Sequence, residues 1–174
     1  MLRTGREKEC ATREFVEFGR AIMAVLKPTA IPLLINDRID VALAVGADGV
    51  HIGQSDMPYV DARRLLGPDA IIGLSVESEA HALEAEGLDI DYLGLSPVFV
   101  TPTKSELKQQ LGLEGVGKIR QISRHRLVAI GGLHSGNIPS VLKAGADGVA
   151  VVSAICSAVD PLQAARQLSK LHIV

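Results

Sequence analysis

Four short polar clusters in this chain each follow an apolar run. Asn36-Asp37 follows residues 31–35, Gly53-Gln54-Ser55-Asp56 follows 49–52, Thr101-Pro102-Thr103-Lys104 follows 92–100, and Gly131-Gly132 follows 127–130. If the apolar runs are parallel strands, their carboxyl ends share one face, where (β/α) barrels and open α/β sheets do their chemistry. Two carboxylates, a lysine and a glycine pair on such a face suit a phosphorylated substrate with a divalent metal.

Each cluster has a chemical reading and a plainer one. Asp37 and Asp56 lie one βα unit apart, so both could reach one Mg²⁺, which favours one or two carboxylates completed by water and substrate phosphate. Alternatively, Asp37 caps the helix that starts at Arg38, and Asp56 belongs to the turn before Met57-Pro58. The Thr101 and Thr103 hydroxyls and the Lys104 cation can donate to phosphate oxygens, or sit in an ordinary exposed loop. Gly131-Gly132, with Ser135 at a helix start, lets backbone amides approach an anion, and Val152-Ser153 ends the next strand. A glycine pair also makes a tight turn. Arg6 and Lys8 would share one side of an extended segment, and Ser75 is either a rim hydroxyl or the cap of the following helix. The five histidines show no mutual spacing that suggests zinc or a triad, and none is assigned a catalytic role.

The elements that must position these groups follow from periodicity. Helices are expected at 12–26, 38–45, 59–66, 78–86, 115–123, 135–144 and 161–171, and strands at 32–36, 49–52, 71–75, 92–95, 126–130 and 148–152. This alternation is the pattern of a parallel sheet assembled from βα units. The pentapeptide Gly-Ala-Asp-Gly-Val occurs at 46–50 and again at 145–149, with a weaker echo at 86–90. Its glycine can end a helix in a left-handed conformation, and its Asp can tie the turn into the next strand. Such recurrence predicts a barrel of equivalent units. A (β/α)8 TIM barrel needs eight strands, and only six are plain here, with Met1-Leu2 the end of another. The expectation is therefore an amino-terminally truncated or incomplete barrel: either the coding sequence starts upstream, or the barrel is open and would favour association into a homo-oligomer.

Composition narrows the partners. The chain of 174 residues is 47% hydrophobic, which suits one domain over residues 1–174. A net charge of -2 supplies no global field for nucleic acid or an anionic membrane, leaving small molecules as the expected partners. Cys10 and Cys156 form neither a metal motif nor a disulfide framework. The amino terminus is charged, and no apolar run approaches the roughly 18 to 20 residues that span a bilayer. A cytoplasmic location is expected.

The ordered set Arg-Glu-Lys, Asn-Asp-Arg, Gly-Val-His-Ile-Gly-Gln-Ser-Asp, Leu-Ser-Val, Thr-Pro-Thr-Lys, Ala-Ile-Gly-Gly and Val-Val-Ser-Ala-Ile, running from about Arg6 to Leu168, closely resembles the thiamine phosphate synthase family. The resemblance implies a (β/α)8 transferase that joins hydroxymethylpyrimidine diphosphate to thiazole phosphate and releases pyrophosphate. It implies that Arg6, Lys8, Asn36 and Lys104 grip the pyrimidine diphosphate while Asp37 and Asp56 hold Mg²⁺ against it. Ser75 would contact the same substrate, and Arg6, Ser75 and Lys104 would be the catalytic residues. Thr101, Thr103, Gly132, Val152 and Ser153 would hold the thiazole phosphate. The implied reaction is dissociative, with pyrophosphate leaving before the thiazole nitrogen captures a pyrimidine methyl cation.

The chain departs from the family pattern at Thr4, where glutamine is usual, at Ser96, where glycine is common, and in lacking the first strand and helix. Two rival readings remain open. A thiazole tautomerase would have the same barrel without the paired carboxylates and with a histidine in the region where Ser96-Pro97 stands. A non-catalytic binder of phosphate ligands would bind without turnover.

Overall fold

A computed structural model describes residues 3–5, 11–100 and 110–171. Arg6, Lys8, Thr101, Thr103 and Lys104 lie outside the described residues. The chain divides into two compact units, Met1–Ser75 and Val76–Val174. Each is built from parallel strands alternating with helices, the α/β class expected.

The first unit contains β1 (Arg3–Gly5), α1 (Thr12–Leu26), a 3-10 turn (Lys27–Thr29), β2 (Leu33–Asn36), α2 (Ile39–Val45), β3 (Gly49–Ile52), α3 (Tyr59–Leu66) and most of β4 (Ile71–Val76). The strands pair in parallel in chain order, with Thr4 opposite Leu34, Asn36 opposite His51 and His51 opposite Gly73. Leu33, Leu34 and Ile35 are all buried, as are the four residues of β3. Burial on both faces explains why these strands read as continuous apolar runs rather than alternating ones.

The second unit contains α4 (Glu79–Ala85), β5 (Tyr92–Leu95), α5 (Gly112–Ile122), β6 (Arg126–Ile130), α6 (Ile138–Lys143), β7 (Gly148–Ala150), α7 (Ser153–Cys156) and α8 (Pro161–Lys170). Leu95 pairs with Ala129, and Ala129 with Val149. Seven strands stand among the described residues where six were plain from sequence. The added strand is β1, which begins just past Met1-Leu2. Three residues are too few to show a period.

The repeated pentapeptide has a structural role different from the one expected. Gly46 does end α2 in the left-handed region. The Asp, however, ties back to the preceding strand: Asp48 donates its N–H to the Leu33 carbonyl at 2.9 Å and accepts the Leu33 N–H on Oδ2 at 2.7 Å. Asp147 makes the same exchange with Leu127, both bonds at 2.8 Å, and also takes Arg120 Nη1 at 3.0 Å. The Asp48 carbonyl accepts from Ile71 N–H at 2.9 Å, so one residue joins the heads of β2, β3 and β4. Gly49 beside it has no room for a side chain, because a Cβ there would lie 1.9 Å from the Ile71 carbonyl oxygen.

Glu86, just past α4, reaches the turn before β6. Its Oε1 accepts from the Ser123 hydroxyl at 2.5 Å, and its two oxygens take the Arg124 N–H at 3.3 and 3.2 Å. Burial pushes its carboxyl upward, but the Ser123 and Arg124 hydrogen bonds and the charges of His125 and Arg124 outweigh that and hold it below the usual range.

Asp48→Ala removes a charged acceptor from the buried head of β2 and should lower the unfolding free energy by about 1–2 kcal/mol in urea titration. Asp48→Asn, which keeps an acceptor, should lose less. A midpoint unchanged in Asp48→Ala would show that the Leu33 N–H needs no protein partner. Because Glu86 is depressed in the folded state, its stabilisation is present above the ordinary glutamate range and is lost as pH falls through the depressed value. Glu86→Gln should therefore flatten the acid limb of stability against pH, and an unaltered limb would assign that limb to other carboxylates.

Candidate functional site

The carboxyl ends of β2, β3 and β4 carry the rim of the first unit. Partners in a parallel ladder point to the same face and alternate residues repeat that face. Asn36, His51 and Gly73 therefore share one side, and Ser75 follows two residues beyond Gly73.

Asp37 follows β2 directly and, with Ala30, is one of two non-glycine residues with positive φ among the described residues, at 64°. Its N–H donates to the His51 carbonyl at 2.9 Å, and Arg38 N–H turns back to the Asn36 carbonyl at 2.7 Å. The helix begins at Ile39 with Arg38 as its N-cap, so Asp37 stands one residue too early to be that cap. The Arg38 guanidinium is directed to Asp40 and to Thr12 Oγ1. Its pKa is raised and that of Asp40 lowered, chiefly by the hydrogen bond they share.

Asp56 closes the loop after β3. Its Oδ2 accepts the Gly53 N–H at 2.7 Å, while its own N–H donates to the Gly53 carbonyl at 3.3 Å. The turn role expected for Asp56 is thus present, and it engages only one carboxylate oxygen in that bond. Asp37 and Asp56 follow neighbouring strands, and both carry carboxylate oxygens. Among the described residues no three His, Cys, Asp or Glu side chains form a metal-binding group.

Ser75 does not cap a helix. That position is Ser78, whose Oγ accepts the His81 N–H at 3.2 Å. Ser75 is the penultimate residue of β4, half-buried, and its Oγ lies 2.7 Å from His51 Nε2. Gln54 Nε2 donates to the Ser75 carbonyl at 2.6 Å. His51 and Gln54 were given no role from sequence. The signal for His51 is parity: a polar residue in an otherwise apolar strand, in register with Asn36 and one pleat from Ser75.

In the second unit, Val98 and Phe99 donate to the carbonyls of Ile130 and Gly131 at 2.9 and 3.2 Å. Gly131 and Gly132 have φ of 99° and 64°. A Cβ on Gly131 would lie 2.9 Å from Pro97 Cβ, and one on Gly132 would lie 2.7 Å from the Val100 carbonyl oxygen. The pair is thus required by the close approach of the 97–100 segment as well as by the turn. Asn137 Nδ2 donates to the Gly132 carbonyl at 2.9 Å, and its Oδ1 accepts the His134 N–H at 2.9 Å. Helix α6 starts at Ile138, so Ser135 belongs to the preceding turn. Likewise β7 ends at Ala150, and Val152-Ser153 leads into α7 rather than closing the strand. Leu111 and Gly112 donate to the Pro97 and Val98 carbonyls, both at 2.9 Å, joining the chain on either side of residues 101–109.

The family model for thiamine monophosphate synthase matches residues 3–155. A thiamine-phosphate synthase of Albidiferax ferrireducens is 54% identical over 166 residues, covering 95% of this chain and 76% of the relative. One from Vibrio campbellii is 50% identical over 163 residues, covering 94% and 80%. The solved thiamine phosphate pyrophosphorylase of Pyrococcus furiosus superposes with a TM-score of 0.90 at 41% identity, covering 98% of this chain and 82% of that one. With a family model spanning most of its length and relatives at half identity or above, this chain belongs to the thiamine monophosphate synthase family.

Proposed function

We infer that the chain is a transferase that joins hydroxymethylpyrimidine diphosphate to a thiazole phosphate, forming thiamine phosphate and releasing pyrophosphate. The observation that carries this reading is the 54% identity to a thiamine-phosphate synthase over 95% of the chain. A (β/α)8 barrel, small-molecule partners and a cytoplasmic setting belong to the same proposal.

In the reaction a carbon–oxygen bond to the diphosphate breaks and a carbon–nitrogen bond to the thiazole forms. Negative charge grows on the leaving group, so the site must stabilise an anion and align two substrates more than it must supply a nucleophile. Arg6, Lys8, Asn36 and Lys104 are proposed to hold the diphosphate, and Ser75 the pyrimidine. Thr101, Thr103, Gly132, Val152 and Ser153 are proposed to hold the thiazole phosphate. Positive φ at Gly131 and Gly132 brings bare backbone to the end of β6, which suits an anion held by main-chain groups.

Asp37 and Asp56 fit magnesium by donor type, since a pair of carboxylates leaves room for the water and phosphate ligands that this ion retains. Bound there, it would supply positive charge to the departing diphosphate. Asp37 is held in a conformation that costs about 1–2 kcal/mol for an ordinary residue, and such outliers cluster at working sites.

Purified protein should release pyrophosphate only when both substrates and Mg²⁺ are present. Ligand-induced thermal stabilisation without turnover would instead support a non-catalytic binder. Asp56→Ala and Lys104→Ala should each reduce kcat by about tenfold or more, with far-UV circular dichroism unchanged. Parental turnover from either variant removes that residue from the mechanism.

A further inference from the structure

We propose that His51 is a positioning residue for the reaction, acting through Ser75 by fixing the direction in which the Ser75 hydroxyl faces the pyrimidine substrate. The inference rests on the assignment of Ser75 to that substrate. His51 is 6% exposed in a strand whose neighbours Val50 and Ile52 are 0% and 1% exposed. A buried imidazole must find hydrogen-bond partners, and one of its nitrogens meets Ser75 Oγ at 2.7 Å. Ser75 is half-buried and ends the exposed side of this contact.

A serine hydroxyl rotates freely unless a neighbour claims its proton or a lone pair. The imidazole does this from a rigid, doubly buried strand. With Nε2 unprotonated, it accepts the hydrogen bond donated by the Ser75 O–H, leaving the oxygen free to act as an acceptor. With Nε2 protonated, it donates to Oγ and leaves the Ser75 proton to be given outward. Either tautomer gives the hydroxyl one polarity and one direction. Gln54, from the loop that follows the same strand, holds the Ser75 carbonyl at 2.6 Å, so β3 and its loop restrain that residue at side chain and backbone together. Restraint of this kind is what a group contacting a reacting substrate requires, because small misplacements weaken transition-state contacts.

The test is pyrophosphate release at saturating substrates and Mg²⁺ by His51→Leu, His51→Gln, His51→Asn, Ser75→Ala and the His51→Leu/Ser75→Ala double variant, with a thermal melt of each. His51→Leu should lower kcat by about tenfold or more while the KM for the thiazole phosphate stays within about threefold. His51→Gln, which places a polar atom near the position of Nε2, should recover most of the loss. His51→Asn, whose amide mimics the Nδ1 end, should not. Added to Ser75→Ala, His51→Leu should change kcat by less than about twofold, because the two act as one unit. Parental kcat in His51→Leu, equal recovery by Asn and Gln, or multiplicative losses in the double variant would overturn the proposal. If His51→Leu melts below the assay temperature, the Gln and Asn pair decides it. Parental kcat in Ser75→Ala would instead overturn the assignment of Ser75, a different failure.

Discussion

Asp48 holds the heads of three parallel strands at once. Its N–H and carboxylate exchange hydrogen bonds with Leu33, and its carbonyl accepts from Ile71, while the residue itself leads into β3. A slip of one residue in a parallel ladder turns every side chain to the opposite face. Such a slip of β3 would carry His51 away from Asn36 and Ser75, which are brought together only by the observed register. The polar rim at one end of these strands is therefore set by an exchange at the other end. The same device recurs at Asp147 and Leu127, reinforced by Arg120, for β6 and β7. The proposed chemistry and the Asp48 exchange lie at opposite ends of the same strands, so loops at the rim can vary without loosening the frame.

The rim itself departs from regular structure where the frame can hold it. Asp37 occupies the left-handed region because its own N–H is tied to His51 and the next N–H folds back on Asn36. Two backbone hydrogen bonds thus hold a carboxylate-bearing residue at a strand end, where a helix would otherwise start at once. Gly131 and Gly132 are a parallel case in the second unit, since the 97–100 segment lies so close that any side chain would displace it. A frame buried on both faces resists such local distortion, and this is what allows groups to be aimed rather than merely exposed.

Helices α1 and α3 and strands β3, β5 and β6 could be read to their ends from periodicity, because apolar spacing and burial coincide along them. The candidate site was legible as a set of strand-end clusters, and the order of its motifs placed the chain in its family. What sequence did not disclose depends on contacts distant along the chain. Ser75 and Ser78 are both hydroxyls near a helix start, and only the fold shows that Ser78 caps while Ser75 meets His51. The Asp of the repeat was expected to look forward and looks back instead, because its partner is fifteen or twenty residues earlier. Val152-Ser153 continues an apolar run in sequence, yet the strand stops at Ala150 and a short helix follows, since a valine pair carries no signal of where pairing ends.

His51 shows how a buried polar residue hides in an apolar strand. Searching for spacing among histidines could not find it, because its partner is a serine twenty-four residues away on the adjacent strand. The property that exposes it is face: Asn36, His51 and Gly73 stand level in neighbouring strands, and Ser75 is the next residue on that side. Alternation is masked in strands buried on both faces, so hydropathy alone does not say which residues share a side. Register does, and it puts three unrelated polar residues on three apolar strands, Asn36, His51 and Ser75, on one face of the sheet. A buried imidazole on that face is costly unless it is satisfied, and one of its nitrogens is met by the Ser75 hydroxyl at the rim. Satisfying the core and orienting the rim are then one interaction, which is why a residue that reads as part of the core can govern the geometry of the site above it.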